Sequence, residues 1–482
     1  MLKALSHRMN SSAISQALLY GLSLALMKGI SLLMLPLTTR YLTPEQFGQL
    51  ELLASVAIIG SILVGLGFEG TFFRFCAHEH TQAGKRRCGG NILALAILLA
   101  VIAALVGWLF APQIAALLPA EVSAYQLRLV WTVFALEGII AIPLAWLRIQ
   151  DKATAFFMLT TTRALTQAGL TLLFLHWHWG VNGVLLATAL VAVLQALVLL
   201  MIQKDADGLL LNLCQVRKYL SYTLPIAGSG VLAFMLMGLD RWLLAQMTTV
   251  EQVAVYGVAA KLALATVFLI QPFGMWWLPR RFSVLQQANG AGKVANYIAL
   301  GITVVMIIAV FMCYLAPLLI RYLLPEPYQG ILGYICALVL AMTFKEIAEL
   351  VNIGCFSGHS TRGQLVVNII SAALGTIVML ISIPYLAIWG VILALNLAYI
   401  SKALLYYLLS QYHLPLPYPG KKLMLMALVC LLMLLSTPGL FPHLPQLMSP
   451  LLAAVAVPVT LCALARYLRL FPAPVAFLPR FS

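Results

Sequence analysis

The sequence is short of charge, and shortest of acid: 9% of its 482 residues are Asp, Glu, Lys or Arg, and only 14 are acidic. Soluble domains carry about 25% charged residues, so the deficit excludes an ordinary water-soluble fold. The eight cysteines offer no C-x-x-C pair and no metal-ligand spacing, and they read as small apolar residues and reduced loop thiols. A phosphate loop is missing too. The nearest approach, "QANGAGKV" (Gln287 to Val294), has neither the leading Gly nor a Ser or Thr after Lys293. With no nucleophile motif or ligand cluster, a hydrolytic engine is not indicated and no cofactor is expected.

What is present is apolar. Hydrophobic residues make up 63% of the chain, and the mean hydropathy is +1.00. Runs of about 20 apolar residues, the length that crosses a bilayer, occur fourteen times. Their approximate limits are 13–36, 48–72, 91–111, 125–147, 154–175, 183–203, 219–245, 252–278, 296–320, 329–356, 364–384, 388–410, 422–438 and 448–468. The expected class is therefore an all-α polytopic membrane protein. Lys3 and Arg8 precede the first run, and no small-residue cleavage pattern follows it. The expectation is a retained first helix.

Lys and Arg outnumber Asp and Glu 29 to 14, and topology accounts for the excess. With the N-terminus in the cytoplasm, inner loops collect Arg74, Lys85 to Arg87, Arg148, Lys152, Arg217, Lys218, Arg280, Arg281, Lys293, Lys421, Lys422 and others. The outer loops hold only Arg40, Arg128 and Arg321. That bias places both termini in the cytoplasm and implies an even number of spans. It also removes any need for a nucleic-acid partner. "HWHWG" (His176 to Gly180), Trp242 and Trp389 fall at expected span ends, where amphipathic rings prefer the headgroup layer. His176 and His178 alone make a poor metal ligand set and read as an interfacial loop.

The chain is internally duplicated. At an offset of 206, "SQALLYGLS" (Ser15) lies on "SYTLPIAGS" (Ser221) and "LTPEQ" (Leu42) on "TTVEQ" (Thr248). At 207, "NGVLLATALVAVLQAL" (Asn182) lies on "WGVILALNLAYISKAL" (Trp389). Near-constant offset over that distance divides the chain into residues 1–205, a six-helix bundle; 206–416, a second; and 417–482, an added helix pair. Six spans between equivalents give the halves one orientation, with a substrate path expected at their interface.

Six cations fall within the spans: Lys28, Arg163, Arg241, Lys261, Lys345 and Lys402. A cation in mid-membrane costs about 3 kcal/mol on insertion scales, so each needs a partner, a wet cavity or a function. Glu137 lies mid-span in the fourth run, and Glu346 and Glu349 accompany Lys345 in the tenth. Lys345 and Glu349, one turn apart, can neutralise each other. Asp240 and Arg241 read as a local or inter-helix ion pair. Lys402 is expected to snorkel to the surface. Lys28 and Arg163 have no acid within their own helices and are the leading candidates for a cavity that attracts anions. Outward passage of an anion from an inside-negative cell gains about 2.3 kcal/mol per charge per 100 mV.

Three segments carry a family resemblance. "GLDRWLLAQMTTVEQVAVYGVAAKLA" (Gly238 to Ala263), "LPLTTRYLTPEQFGQLELL" (Leu35 to Leu53) followed by "GLGFEGTFFRF" (Gly65 to Phe75), and "WLRIQDKATAFF" (Trp146 to Phe157) resemble bacterial O-antigen and exopolysaccharide flippases. These belong to the multidrug/oligosaccharidyl-lipid/polysaccharide exporter superfamily. The resemblance implies two six-helix bundles in a V around a central cavity, alternating between inward-open and outward-open states in the bacterial inner membrane. The implied cargo is an undecaprenyl-pyrophosphate-linked glycan whose lipid tail stays in the bilayer. Lys28, Arg163 and Lys345 would then meet pyrophosphate or acidic sugar. Glu137, Asp240, Arg241, Glu346 and Glu349 would serve coupling or gating, with proton or sodium as the coupling ion. Partners implied are membrane lipid and the polysaccharide polymerase and chain-length proteins.

Three alternatives stay open. A multidrug antiporter of the same superfamily would want acids in the first bundle, where the first span offers Lys28. A peptidoglycan-precursor flippase shares fourteen spans and a cationic cavity. A glycan polymerase or ligase would need a large outer loop, whereas the outer connections here run to roughly 5 to 15 residues. Pro438, Pro442, Pro445 and Pro450 crowd the connection between the last two runs, and Leu440 to Leu447 is expected to form an interfacial segment.

Overall fold

The computed structural model describes residues 2–65, 67–76, 79, 81–203, 212–356, 362–440 and 448–470. Among them the chain is helical and has no strand. Hydrocarbon offers the backbone no hydrogen bonds, so a spanning segment must satisfy its own N–H and C=O groups, as a helix does. Packing divides the chain into two units, Met1–Ala254 and Val255–Ser482.

The first unit contains α1 (Leu2–Tyr41), α2 (Pro44–Gly65), α3 (Phe68–Cys76), α4 (Gln82–Leu117), α5 (Ala124–Ala135), α6 (Glu137–Ile149), α7 (Ala153–His176), α8 (Gly180–Ile202), α9 (Leu213–Met237) and α10 (Leu239–Met247). The sequence marks several of the starts. Pro44 opens α2 at the position where its missing N–H is not needed. The Thr81 hydroxyl caps α4 by accepting from the Gly84 N–H at 3.0 Å. Ser123 and Gln126 form a reciprocal box at the start of α5.

Three breaks matter for function. Gly67 joins α2 to α3 at φ +67°, a left-handed conformation that glycine adopts without penalty. Leu136 separates α5 from α6 inside a single apolar stretch, so Glu137 becomes the first residue of a helix rather than a mid-helix one. Gly238 separates α9 from α10 immediately before Asp240 and Arg241.

Three apolar clusters hold this unit, the third joining α4, α6 and α8 through Ile139, Ile140, Leu147 and Leu199. Phe68, Phe72, Ile92 and Trp146 join α3, α4 and α6, while Leu53, Val56, Leu127, Phe134 and Leu185 join α2, α5 and α8. α1 lies along α7, and α9 and α10 pack on α2, with α9 also on α3. The first helices of the second sequence repeat are thus packed within the first unit. Backbones approach closest at Gly48, where an added Cβ would stand 2.0 Å from the Val250 carbonyl oxygen.

The second unit contains most of α11 (Val250–Trp277), then α12 (Arg281–Leu285), α13 (Gly290–Leu323), α14 (Ile335–Val351), α15 (Arg362–Leu386), α16 (Ile388–His413), α17 (Gly420–Leu440) and α18 (Met448–Tyr467). Short 3-10 turns, Glu326–Gly333 and Asn352–Phe356, flank α14. Its core gathers Ile270, Trp277, Ile298, Ala348 and Tyr406 from α11, α13, α14 and α16. The last two helices both pack on α13 through Met426, Cys430, Leu461 and Ala465 against Val310 and Tyr314.

Each of the fourteen expected segments coincides with a helix or a broken helix. Among the described residues ten helices are long and apolar enough to cross a bilayer, and a pair bent by 58°, Glu326–Gly333 with Ile335–Phe356, makes an eleventh if it is one span. α7, which carries Thr160 to Thr162, Arg163 and Gln167, is helical but is not among those ten, nor are α17 and α18. The expected interfacial segment lies, beyond Leu440, outside the described residues.

Candidate functional site

Each unit carries charged side chains on its apolar helices, and the structure pairs most of them across helices. In the first unit the break at Leu136 turns Glu137 toward the end of α2, where its Cγ lies 3.7 Å from the position a Cβ on Gly65 would take. There Glu137 is within electrostatic reach of Arg163 on α7 and of Glu69 on α3. Arg163, which has no acid in its own helix, finds one on α6. Glu69 in turn forms an ion pair with Arg148 at the end of α6. The Arg148 guanidinium also lies over the rings of Phe73 at 5.0 Å and Phe156 at 5.5 Å. Two acids and two guanidinium groups are so arranged along α3, α6 and α7. Lys28 sits exposed midway along α1, the helix that packs on α7.

A second cluster joins α2 to α10. The Arg241 Nε donates to Glu51 Oε2 at 3.1 Å, and its Nη1 donates to Asp240 Oδ1 at 3.1 Å and Oδ2 at 3.3 Å. Glu51 is 1% and Asp240 2% exposed, so the two carboxylates and the cation share a dry site. One helical turn further along α2, the Ser55 hydroxyl accepts from the Trp242 indole N–H at 2.5 Å. Residues i and i+4 of α2 therefore take successive residues of α10. The expected Asp240 and Arg241 pairing holds. Glu51 was not among the sequence candidates, because nothing local distinguishes it from a carboxylate at a span end.

In the second unit Lys345 does not pair with Glu349. Its Nζ is 3.8 Å from Glu346 Oε1 on the same helix. Glu349 instead accepts from Lys402 on α16 at 3.1 Å and from the Asn352 side-chain amide at 3.0 Å. Lys402 was expected to snorkel away. The acid on α14 and the adjacent Tyr406 ring, 5.5 Å from its Nζ, hold it inside the bundle. The Asn352 oxygen is taken by Arg281 Nη1 at 2.8 Å. Arg281, expected among the orienting loop cations, is 8% exposed, with its guanidinium 4.9 Å from the Phe356 ring. A chain of contacts therefore runs Arg281, Asn352, Glu349, Lys402, with Tyr406 donating onward to Asn368 at 3.0 Å. Its signal in the sequence was the run Glu349, Asn352, but only the fold supplies the two cations.

Among the described residues no three His, Cys, Asp or Glu side chains converge as a metal site.

The polysaccharide biosynthesis protein family matches residues 14–286, more than half of the chain. The chain belongs to that family. No curated protein matches it. Among solved structures it is similar to "Lipid II flippase MurJ, inward closed conformation", with a TM-score of 0.71 at 15% identity over 94% of this chain and 99% of that one. It is also similar to an inward-facing multidrug resistance MATE family transporter of the MOP superfamily, with a TM-score of 0.56 at 14% identity over 81% and 94% of the two chains. A MATE structure in the straight conformation gives 0.57 at 15% identity over 84% and 95%. At such identities the likeness is one of fold. This family member is a multi-pass membrane protein with the fold of that exporter superfamily, as the resemblance implied.

Proposed function

We propose that the protein flips undecaprenyl-pyrophosphate-linked oligosaccharide units from the cytoplasmic to the periplasmic leaflet of the bacterial inner membrane by alternating access, for O-antigen or exopolysaccharide synthesis. Family membership supports the polysaccharide. The observation that carries the anionic head is the placement of an exposed Lys28 and a half-buried Arg163 on the packed pair α1 and α7. A pyrophosphate presents several oxygens to such cations, and guanidinium in particular matches two of them at once. Glu137 beside Arg163 keeps that cation compensated when no cargo is bound, so the head group exchanges one anion for another rather than meeting an unpaired charge. Lys345, held loosely by Glu346, is assigned the same role in the second unit. Glu51, Asp240 and Arg241 are assigned gating, since they tie α2 to α10. Proton or sodium coupling through Glu137, Glu346 or Glu349 belongs to the same reading.

Deletion should remove surface polysaccharide and leave undecaprenyl-linked glycan on the cytoplasmic side. Normal polysaccharide in a deletion strain without a paralogue would defeat the reading. The fold likeness to a lipid II flippase over nearly the whole chain favours a second reading, transport of a peptidoglycan precursor. Under that reading deletion arrests growth, and surface polysaccharide is unaffected before the arrest.

A further inference from the structure

We propose that Cys76 and Cys88 form a reversible disulfide, a modification site for peroxide at the corner where α3, α4 and α9 meet. The eight cysteines are scattered in sequence, yet these two are in contact. The Cys76 thiol, on the last residue of α3, donates to the Cys88 sulfur in the second turn of α4 at 2.7 Å. Both are free thiols, Cys76 fully buried and Cys88 8% exposed.

The Cys88 sulfur has a second polar neighbour besides Cys76. The Cys88 sulfur lies 3.8 Å from the Tyr219 hydroxyl, which itself donates to the Gln215 side-chain oxygen at 2.5 Å. Positive charge collects here: Lys218 Nζ lies 4.8 Å from the Phe75 ring, Arg74 lies 4.9 Å from the Tyr222 ring, and Lys85, Arg86 and Arg87 lead directly into Cys88. Of these charges Lys218 acts on the Cys88 sulfur and the acid Glu79 opposes it; the thiolate fraction of the thiol is the nucleophile. A second contact pair, Cys313 and Cys336, lies on α13 and α14, so any readout must separate the pairs.

The chemistry balances with a peroxide as oxidant. The Cys88 thiolate attacks one peroxide oxygen, the O–O bond breaks, and with one proton the leaving hydroxide departs as water, giving a sulfenic acid. Cys76 then attacks the sulfenic sulfur, the S–O bond breaks, a second water leaves, and the disulfide forms. Two thiols are oxidised by two electrons and one hydrogen peroxide is reduced to two waters. A dithiol reverses the bond by exchange. The product staples the nine-residue α3 to α4. At its other end α3 already hinges on Gly67 and is tied to α6 through Glu69 and Arg148.

The test uses the purified full-length protein in lipid nanodiscs, treated with hydrogen peroxide, blocked with N-ethylmaleimide and digested with trypsin. Cleavage after Arg74, Lys85 and Arg87 places the two cysteines on separate peptides. A linked mass, two hydrogens lighter than the sum and abolished by dithiothreitol, is expected in the wild type and absent in Cys76→Ser and Cys88→Ser. Cys76→Ser is expected to stop at a dimedone-reactive sulfenic acid on Cys88. The proposal is overturned if both peptides stay maleimide-labelled after peroxide, or if Cys88 passes to sulfinic acid with no linked peptide. Neither readout depends on the cargo assigned to the protein.

Discussion

Arg241 on α10 reaches 3.1 Å to Glu51 on α2, a residue 190 positions earlier in the chain. The same guanidinium binds its neighbour Asp240. One cation thus compensates two carboxylates that water barely reaches. That inequality makes the three residues unequal under mutation.

Arg241→Met strands both carboxylates, and breaking a buried pair by removing one partner costs about 3–5 kcal/mol. Glu51→Gln leaves Arg241 still paired with Asp240 and should cost clearly less. Thermal unfolding in detergent checks the order. Equal losses for the two variants would mean that Asp240 contributes nothing to the triad.

Lys402 and Glu349 should behave as one unit. Lys402→Met and Glu349→Gln are each expected to lower export, and the double variant to be no worse than the poorer single, since each removes the same contact. Lys345→Met should add its effect to either. Quantified surface polysaccharide in a complemented deletion strain gives the comparison. Independent effects of Lys402 and Glu349 would contradict the pairing.

Gly48→Ala pushes a methyl into the Val250 carbonyl, and overpacking of this kind costs about 1–3 kcal/mol. Gly21→Ala in α1 meets nothing within 4 Å, and with alanine's better helix propensity it should be neutral or stabilising. The two melting temperatures should move in opposite directions or, at the least, only the first should fall.

Lys28→Ala should leave insertion and abundance intact, because it removes an insertion penalty, yet lower export. Lys28→Arg should retain more of it. Membrane-fraction immunoblots beside polysaccharide levels separate the two effects, and unchanged export in Lys28→Ala removes Lys28 from the cargo path.

The helices were legible because a span needs about 20 apolar residues in a row, and such runs are local. Their breaks were less so. Leu136 interrupts the fourth run without a proline or glycine at the break, and only the chain's packing shows that Glu137 starts a new helix there. Charges were found individually, but their partners were not. Glu51 for Arg241 and Lys402 for Glu349 come from other helices, as does Glu137, the acid whose charge reaches Arg163, at separations no local pattern encodes. Arg281 was read as a topology marker alone, and its burial against Asn352 and Phe356 shows that it is also part of the core. The cysteine contact was invisible for the same reason, since eleven residues separate Cys76 from Cys88.

Two of the longest helices, α4 and α13, exceed what a bilayer needs. At about 1.5 Å per residue, α4 with 36 residues and α13 with 34 each exceed 50 Å, against a hydrocarbon core of about 30 Å. Their surplus turns begin with Lys85, Arg86 and Arg87 on α4 and Lys293 on α13. These are positioned to sit among phosphate headgroups, each basic residue near an anionic surface contributing about 1 kcal/mol. Each unit thus carries its own basic anchor for a headgroup layer, and lipid composition becomes a setting of the machine rather than its passive solvent.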